Sequence, residues 1–143
     1  SFKTATVILT DVAVKIVPAS AEYVATENDM EDRDFDVKFY DSKARTAYEV
    51  EVSKATGEVR EYKMELKGYK GSPNAVLSVE DVKQIVRKEY PDAAFKAVKL
   101  DVDKETGLKE YDVKFSTKAV IGDYDINPEN GQVVEKDIRY IGK

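Results

Sequence analysis

The sequence predicts an α+β fold in which one small unit is written twice. Two tandem repeats are expected, each packing one α-helix on an antiparallel sheet of three to four strands. Three observations predict it. Asp36-Val37-Lys38-Phe39 recurs as Asp112-Val113-Lys114-Phe115, preceded by the aromatics Phe35 and Tyr111. A turn carrying Gly57 or Gly131 follows each copy. Each half also holds apolar residues at helical spacing that stop at a proline, Pro18 or Pro91, where the missing N–H and the ring end a helix.

In the first half, Val7, Ile8, Leu9, Val12, Ile16 and Val17 give the helical spacing before Pro18. A strand starts within Tyr23 to Thr26, and Asn28 to Arg33 form a turn. Phe35, Val37 and Phe39 alternate with charged residues, as a half-buried strand requires. Tyr48, Val50 and Val52 alternate with Glu49 and Glu51, which are expected on the solvent side. Ala55-Thr56-Gly57 turns the chain into Tyr62, Met64 and Leu66. The domain reading is a first, eroded repeat over 1–68, a turn-rich linker over 69–76, and a second repeat over 77–143.

The second half is cleaner. Ser78 can cap a helix over about 79–89, with Glu80 and Asp81 where the helix dipole favours negative charge. Val79, Val82, Ile85, Val86 and Tyr90 form its apolar stripe. Val98, Leu100 and Val102 alternate as a strand, and Glu105-Thr106-Gly107 is a turn. Tyr111, Val113 and Phe115 make the next strand, followed by Tyr124 and Ile126. Asn127-Pro128-Glu129-Asn130-Gly131 is a hairpin signal, because Asn-Gly tolerates positive φ. A last strand runs from about Gln132 to Ile141. Helix followed by short-turned strands implies an antiparallel meander with a helix on one face.

Composition narrows function by exclusion. The 143 residues are 42% hydrophobic, enough for a packed core despite 36% charged residues. Net charge is −5, and the acidity is spread evenly, so no basic stripe suits a nucleic acid. Cys and His are both absent, which removes disulfides, thiolate zinc sites and imidazole chemistry. No apolar run is long enough to insert in a membrane. The start at Ser1-Phe2-Lys3 reads as a trimmed mature form.

Candidate chemistry resolves into plain structure. Asn28 to Asp34 and Asp101 to Gly107 are acidic, but both miss the glycine position of an EF-hand loop and read as solvated hairpin turns. Glu49 and Glu51 read as outward charges that guard a sheet. Ser78 reads as a cap rather than a nucleophile, and phosphate-loop and nucleophile-elbow patterns are missing. Tyr48, Tyr111 and Tyr124 lie in apolar phase and are expected in the core. Lys83, Arg87 and Lys88 make the wet face of the helix, with Glu80 near Lys83. No catalytic, cofactor or metal residue is therefore assigned, and the chain is expected not to be an enzyme.

Residues Leu77-Ser78-Val79-Glu80-Asp81, Ile85, Val86, Pro91, Lys109 to Phe115 and Tyr124 to Val133 together resemble the PepSY family. Ala47 to Val59 resemble it again, without the Ser-x-Glu-Asp helix start. The resemblance implies a cystatin-like arrangement and an extracytoplasmic module, secreted or anchored through a further segment. It also implies a protein partner, a secreted metallopeptidase or an envelope protein. Inhibiting or chaperoning a peptidase is the leading expectation; a structural or sensory envelope domain of lipoprotein type is the alternative.

Overall fold

The computed structural model describes residues 13–28 and 30–142. They divide into two compact units, one ending at Lys67 and the other beginning at Gly68. The first holds strands β1 (Glu22–Glu27), β2 (Asp34–Asp41), β3 (Thr46–Ser53) and β4 (Val59–Leu66). The second holds helix α1 (Val79–Glu89), then β5 (Ala94–Val102), β6 (Lys109–Ser116), β7 (Val120–Ile126) and β8 (Val133–Tyr140).

The expected fold class needs correction. The described residues form an eight-stranded antiparallel β structure with one short helix, not two tandem helix-on-sheet repeats. The period-two alternation dominates because eight runs of six to nine residues each pair along their length. The helix expected over 7–17 lies outside the described residues up to position 12. Its described end is helical only at Ala13 and Val14, where Ile16 N–H already closes back on Ala13 at 3.1 Å.

In the first unit β1, β2, β3 and β4 pair in sequence order, all antiparallel. Phe35, Val37 and Phe39 of β2 face Val52, Val50 and Tyr48 of β3 in direct register. These six side chains, with Ala13 and Val17, are the buried core of the unit. The opposite face carries Asp36 and Lys38 opposite Glu51 and Glu49. The β3–β4 turn closes at Gly57, whose φ of 73° would strain a side-chain-bearing residue.

In the second unit β5, β6, β7 and β8 form the corresponding meander, and α1 packs against β5 and β6. Ser78 accepts the Asp81 N–H while Asp81 accepts the Ser78 N–H, at 3.1 and 2.8 Å, so a full capping box starts the helix. Val82 and Val86 are completely buried, each contributing about 1.5–3 kcal/mol of apolar burial. The helix entrance is pinned to the β7–β8 turn. The Val76 and Leu77 N–H groups both donate to the Pro128 carbonyl, and Tyr111 Oη donates to the Leu77 carbonyl at 2.8 Å.

Segment 69–76, read as a linker, is bonded into this unit. Ser72 exchanges main-chain bonds with Lys109 at 2.9 and 2.8 Å, and its hydroxyl donates to Asn127 Oδ1 at 3.0 Å. Phe115 is the aromatic centre of the core, with ring centroids of Tyr90 and Tyr124 at 5.3 and 5.2 Å. Gly122 lies directly opposite Phe115 on β7, and the ring fills the space a side chain would take.

Candidate binding surface

Alternation along β6, β7 and β8 sends Tyr111, Val113, Phe115, Tyr124, Ile126 and Ile138 under the helix. It therefore sends Glu110, Asp112, Lys114, Asp123, Asp125, Glu135 and Asp137 to the helix-free face of the second unit. Register then aligns the acids across strands. Asp112 faces Asp125, Asp125 faces Glu135, and Asp123 faces Asp137. Like charges directly opposite one another destabilise a sheet.

The face offsets this repulsion in two ways. Lys114 reaches Asp123 Oδ2 at 2.6 Å and Asp112 Oδ1 at 3.3 Å. Asp125, in the middle, keeps its proton. Burial is the largest cause, and hydrogen bonding to Glu135 and Glu110 adds to it, so its pKa is pushed up to about 9. Glu110 is also raised, chiefly by burial. Carboxylates this close cannot all ionise together.

Glu110, Asp125 and Glu135, and separately Asp112, Asp123 and Asp125, each bring carboxylate oxygens within 4.8 Å of one another. Oxygen-only sets of this kind are what a hard divalent cation or a cationic side chain can bridge.

The first unit carries a shorter version on its own. Asp36 faces Glu51, and Glu51 faces Glu61. Burial, then the Glu51 and Glu49 charges, raise the Asp36 pKa to about 6. Lys63 sits 3.8 Å from both Glu49 and Glu61. Glu49 and Glu51 do lie on the sheet's outer side, but neighbouring side chains leave them only partly exposed.

Residues singled out from sequence fall as follows. Tyr48, Tyr111 and Tyr124 are buried. Ser78 is the cap. Asp103 Oδ1 accepts the Glu105 and Thr106 N–H groups at 2.8 and 3.0 Å, so the Asp101–Gly107 stretch is a self-bonded hairpin turn. In the segment from Asn28 to Asp34, Asp29 lies outside the described residues; Asp34 lies 3.2 Å from Arg60 Nε. The helix cations are partly engaged. Lys83 and Arg87 lie over the Phe95 ring at 5.5 and 5.1 Å, and Glu80 pairs with Arg87 at 2.9 Å rather than with Lys83.

The cluster of Glu110, Asp125 and Glu135 was not singled out. Its only sequence signal is acids at alternate strand positions. Their convergence depends on a bulge between Asp125 and Ile126 that shifts β8 by one residue.

Residues 76–137 match the PepSY family, described as peptidase propeptide and YPEB domain. That match indicates no catalytic family and fits a non-enzymatic extracytoplasmic module. Among the described residues no helix is long and apolar enough to cross a membrane. No curated protein matches the chain. One similar solved structure is a lipoprotein-like protein of Clostridium difficile 630. It is 19% identical, with 96% of this chain and 92% of that chain covered and a TM-score of 0.39. Another is a BLIP-like protein of Bacteroides fragilis NCTC 9343, 13% identical, with 94% and 86% covered and a TM-score of 0.33. Overlaps this loose carry no weight for the site or its role.

Proposed function

We propose that the chain is a non-enzymatic, extracytoplasmic binding module that restrains or chaperones a secreted peptidase. The observation that carries this reading is the family match over 76–137, the region that folds as the helix-on-sheet second unit. The carboxylate-rich face supports it as the docking surface. Its acids stand on three paired strands and so keep fixed spacing, with little side-chain ordering left to oppose binding. A partner offering Lys or Arg side chains would replace acid–acid repulsion with charge-assisted hydrogen bonds.

The test is binding of the purified chain to the secreted metallopeptidases of its source organism. Calorimetry would follow binding, and peptide-cleavage assays would follow inhibition. The expected result is saturable binding that weakens as salt is raised, with slowed cleavage or improved refolding of the peptidase. Absence of binding, inhibition and refolding assistance for every such peptidase would refute the proposal.

A further inference from the structure

Strand β5 is the outer strand of the second unit's sheet. It pairs with β6, and no described strand lies on its other side. The hairpin fixes which of its main-chain groups face outward. Asp103 N–H donates to the Leu108 carbonyl at 2.9 Å, closing the turn. Antiparallel pairs alternate between bonded and non-bonded. Counting back, Asp101 and Lys99 spend their main-chain groups on β6, while Val98, Leu100 and Val102 point theirs to the free edge. Lys109 agrees with this count. It lies opposite Val102 but exchanges both main-chain bonds with Ser72 instead.

The side chains of this stretch alternate as well. Lys99 and Asp101 share one face; Val98, Leu100 and Val102 share the other. Leu100 and Val102 are 38% and 50% exposed. A bulge between Phe95 and Ala97 disturbs the first part of the strand and leaves Val98 to Val102 regular. Lys99 and Asp101 have no ion-pair partner among the described residues, and Asp101 lies directly opposite Glu110.

We propose that Val98–Val102 is a self-pairing edge whose occupant is a second copy of this chain, antiparallel about a two-fold axis through Leu100. In that register Leu100 faces the second copy's Leu100, and Val98 faces the second copy's Val102. Lys99 faces the second copy's Asp101, and symmetry repeats each contact. The three outward-facing residues on each copy then supply about six N–H···O bonds by the alternation rule. The incoming Lys99 also neutralises the repulsion between Asp101 and Glu110.

Charge selects this register. Slipping by two residues one way sets Lys99 against Lys99, and the other way sets Asp101 against Asp101. A slip of one residue sets charged side chains against apolar ones. Five residues make a small contact, so the dimer is weak, with a dissociation constant above about 10 μM.

Sedimentation equilibrium on the whole chain tests this, from about 10 μM to about 1 mM. The expected result is a monomer–dimer equilibrium. Lys99→Glu weakens it at least about fivefold by placing acid against acid. Adding Asp101→Lys to that variant restores pairing to within about twofold, because the charges swap places across the axis. Leu100→Pro removes an outward N–H that the monomer does not use, so the fold persists by circular dichroism and the dimer is lost. A chain that stays monomeric at 1 mM, or a dimer indifferent to Lys99→Glu and to the double variant, would overturn the proposal.

Discussion

Asp125 lies directly opposite Glu135 in the β7–β8 pairing, with Asp112 opposite it on the other side. Three acids in one cross-strand row require a shared proton or a cation, and this fixes the sign of the pH response. Asp125 holds its proton up to about 9 in the fold, against an ordinary 3.8. The folded chain therefore binds a proton that the unfolded chain releases. Stability from this group is complete below about pH 4 and is lost as pH rises toward about 9. Asp125→Asn keeps an N–H donor for Glu110 and Glu135 without the ionisation. Urea unfolding at pH 5, 7 and 9 should show a gain of about 1–2 kcal/mol at pH 9, after allowance for solvent screening, and a flatter pH profile. A variant less stable than the parent at pH 9 would show that the row is not repulsive.

Asp36 gives the same sign over a narrower window in the first unit. Its pKa of about 6 makes stability fall between about pH 4 and pH 6 and stay level above. Asp36→Asn should raise stability by about 1 kcal/mol at pH 7, discounted for its partial exposure, and change little at pH 4. NMR titration of the carboxyl carbon would report the midpoint directly.

The helix and the strands were largely legible in the sequence; the surface was not. Ser78, Asp81 and Pro91 mark the ends of α1 by local chemistry, and alternation at Val98, Tyr111 and Tyr124 marks β5, β6 and β7. Such signals act within a few residues and survive being read one chain segment at a time. Which acid faces which is decided by register across strands, and register here turns on bulges at Glu51/Val52 and Asp125/Ile126. No residue type announces them. Of the two expected helices, the second stands as α1 and the first lies outside the described residues up to position 12. Helical spacing at Val7 to Val17 has no capping signal like Ser78, and the repeated Asp-Val-Lys-Phe carries strand information only.

Ser78→Ala removes the hydroxyl that accepts the Asp81 N–H and leaves the first turn of α1 with an unmet donor. The expected cost is about 1 kcal/mol, read as a lower midpoint in thermal unfolding. Ser78→Asp should restore most of it, since a carboxylate caps the same N–H and suits the dipole.

Gly122→Ala places a Cβ against the Phe115 ring in a core that is already filled. Overpacking of this kind costs about 1–3 kcal/mol. Combining it with Phe115→Leu should recover part of the loss, and a double-mutant cycle would measure the coupling.

Binding bears most directly on the central claim that the carboxylate face docks a peptidase. Calorimetric titration of the chain and of Asp112→Lys/Asp123→Lys into a secreted metallopeptidase of the source organism would decide it. The account predicts saturable, salt-sensitive binding by the parent and at least about tenfold weaker binding by the variant, both folded by circular dichroism. Equal affinity of the two, or no heat of binding with any such peptidase, would contradict it.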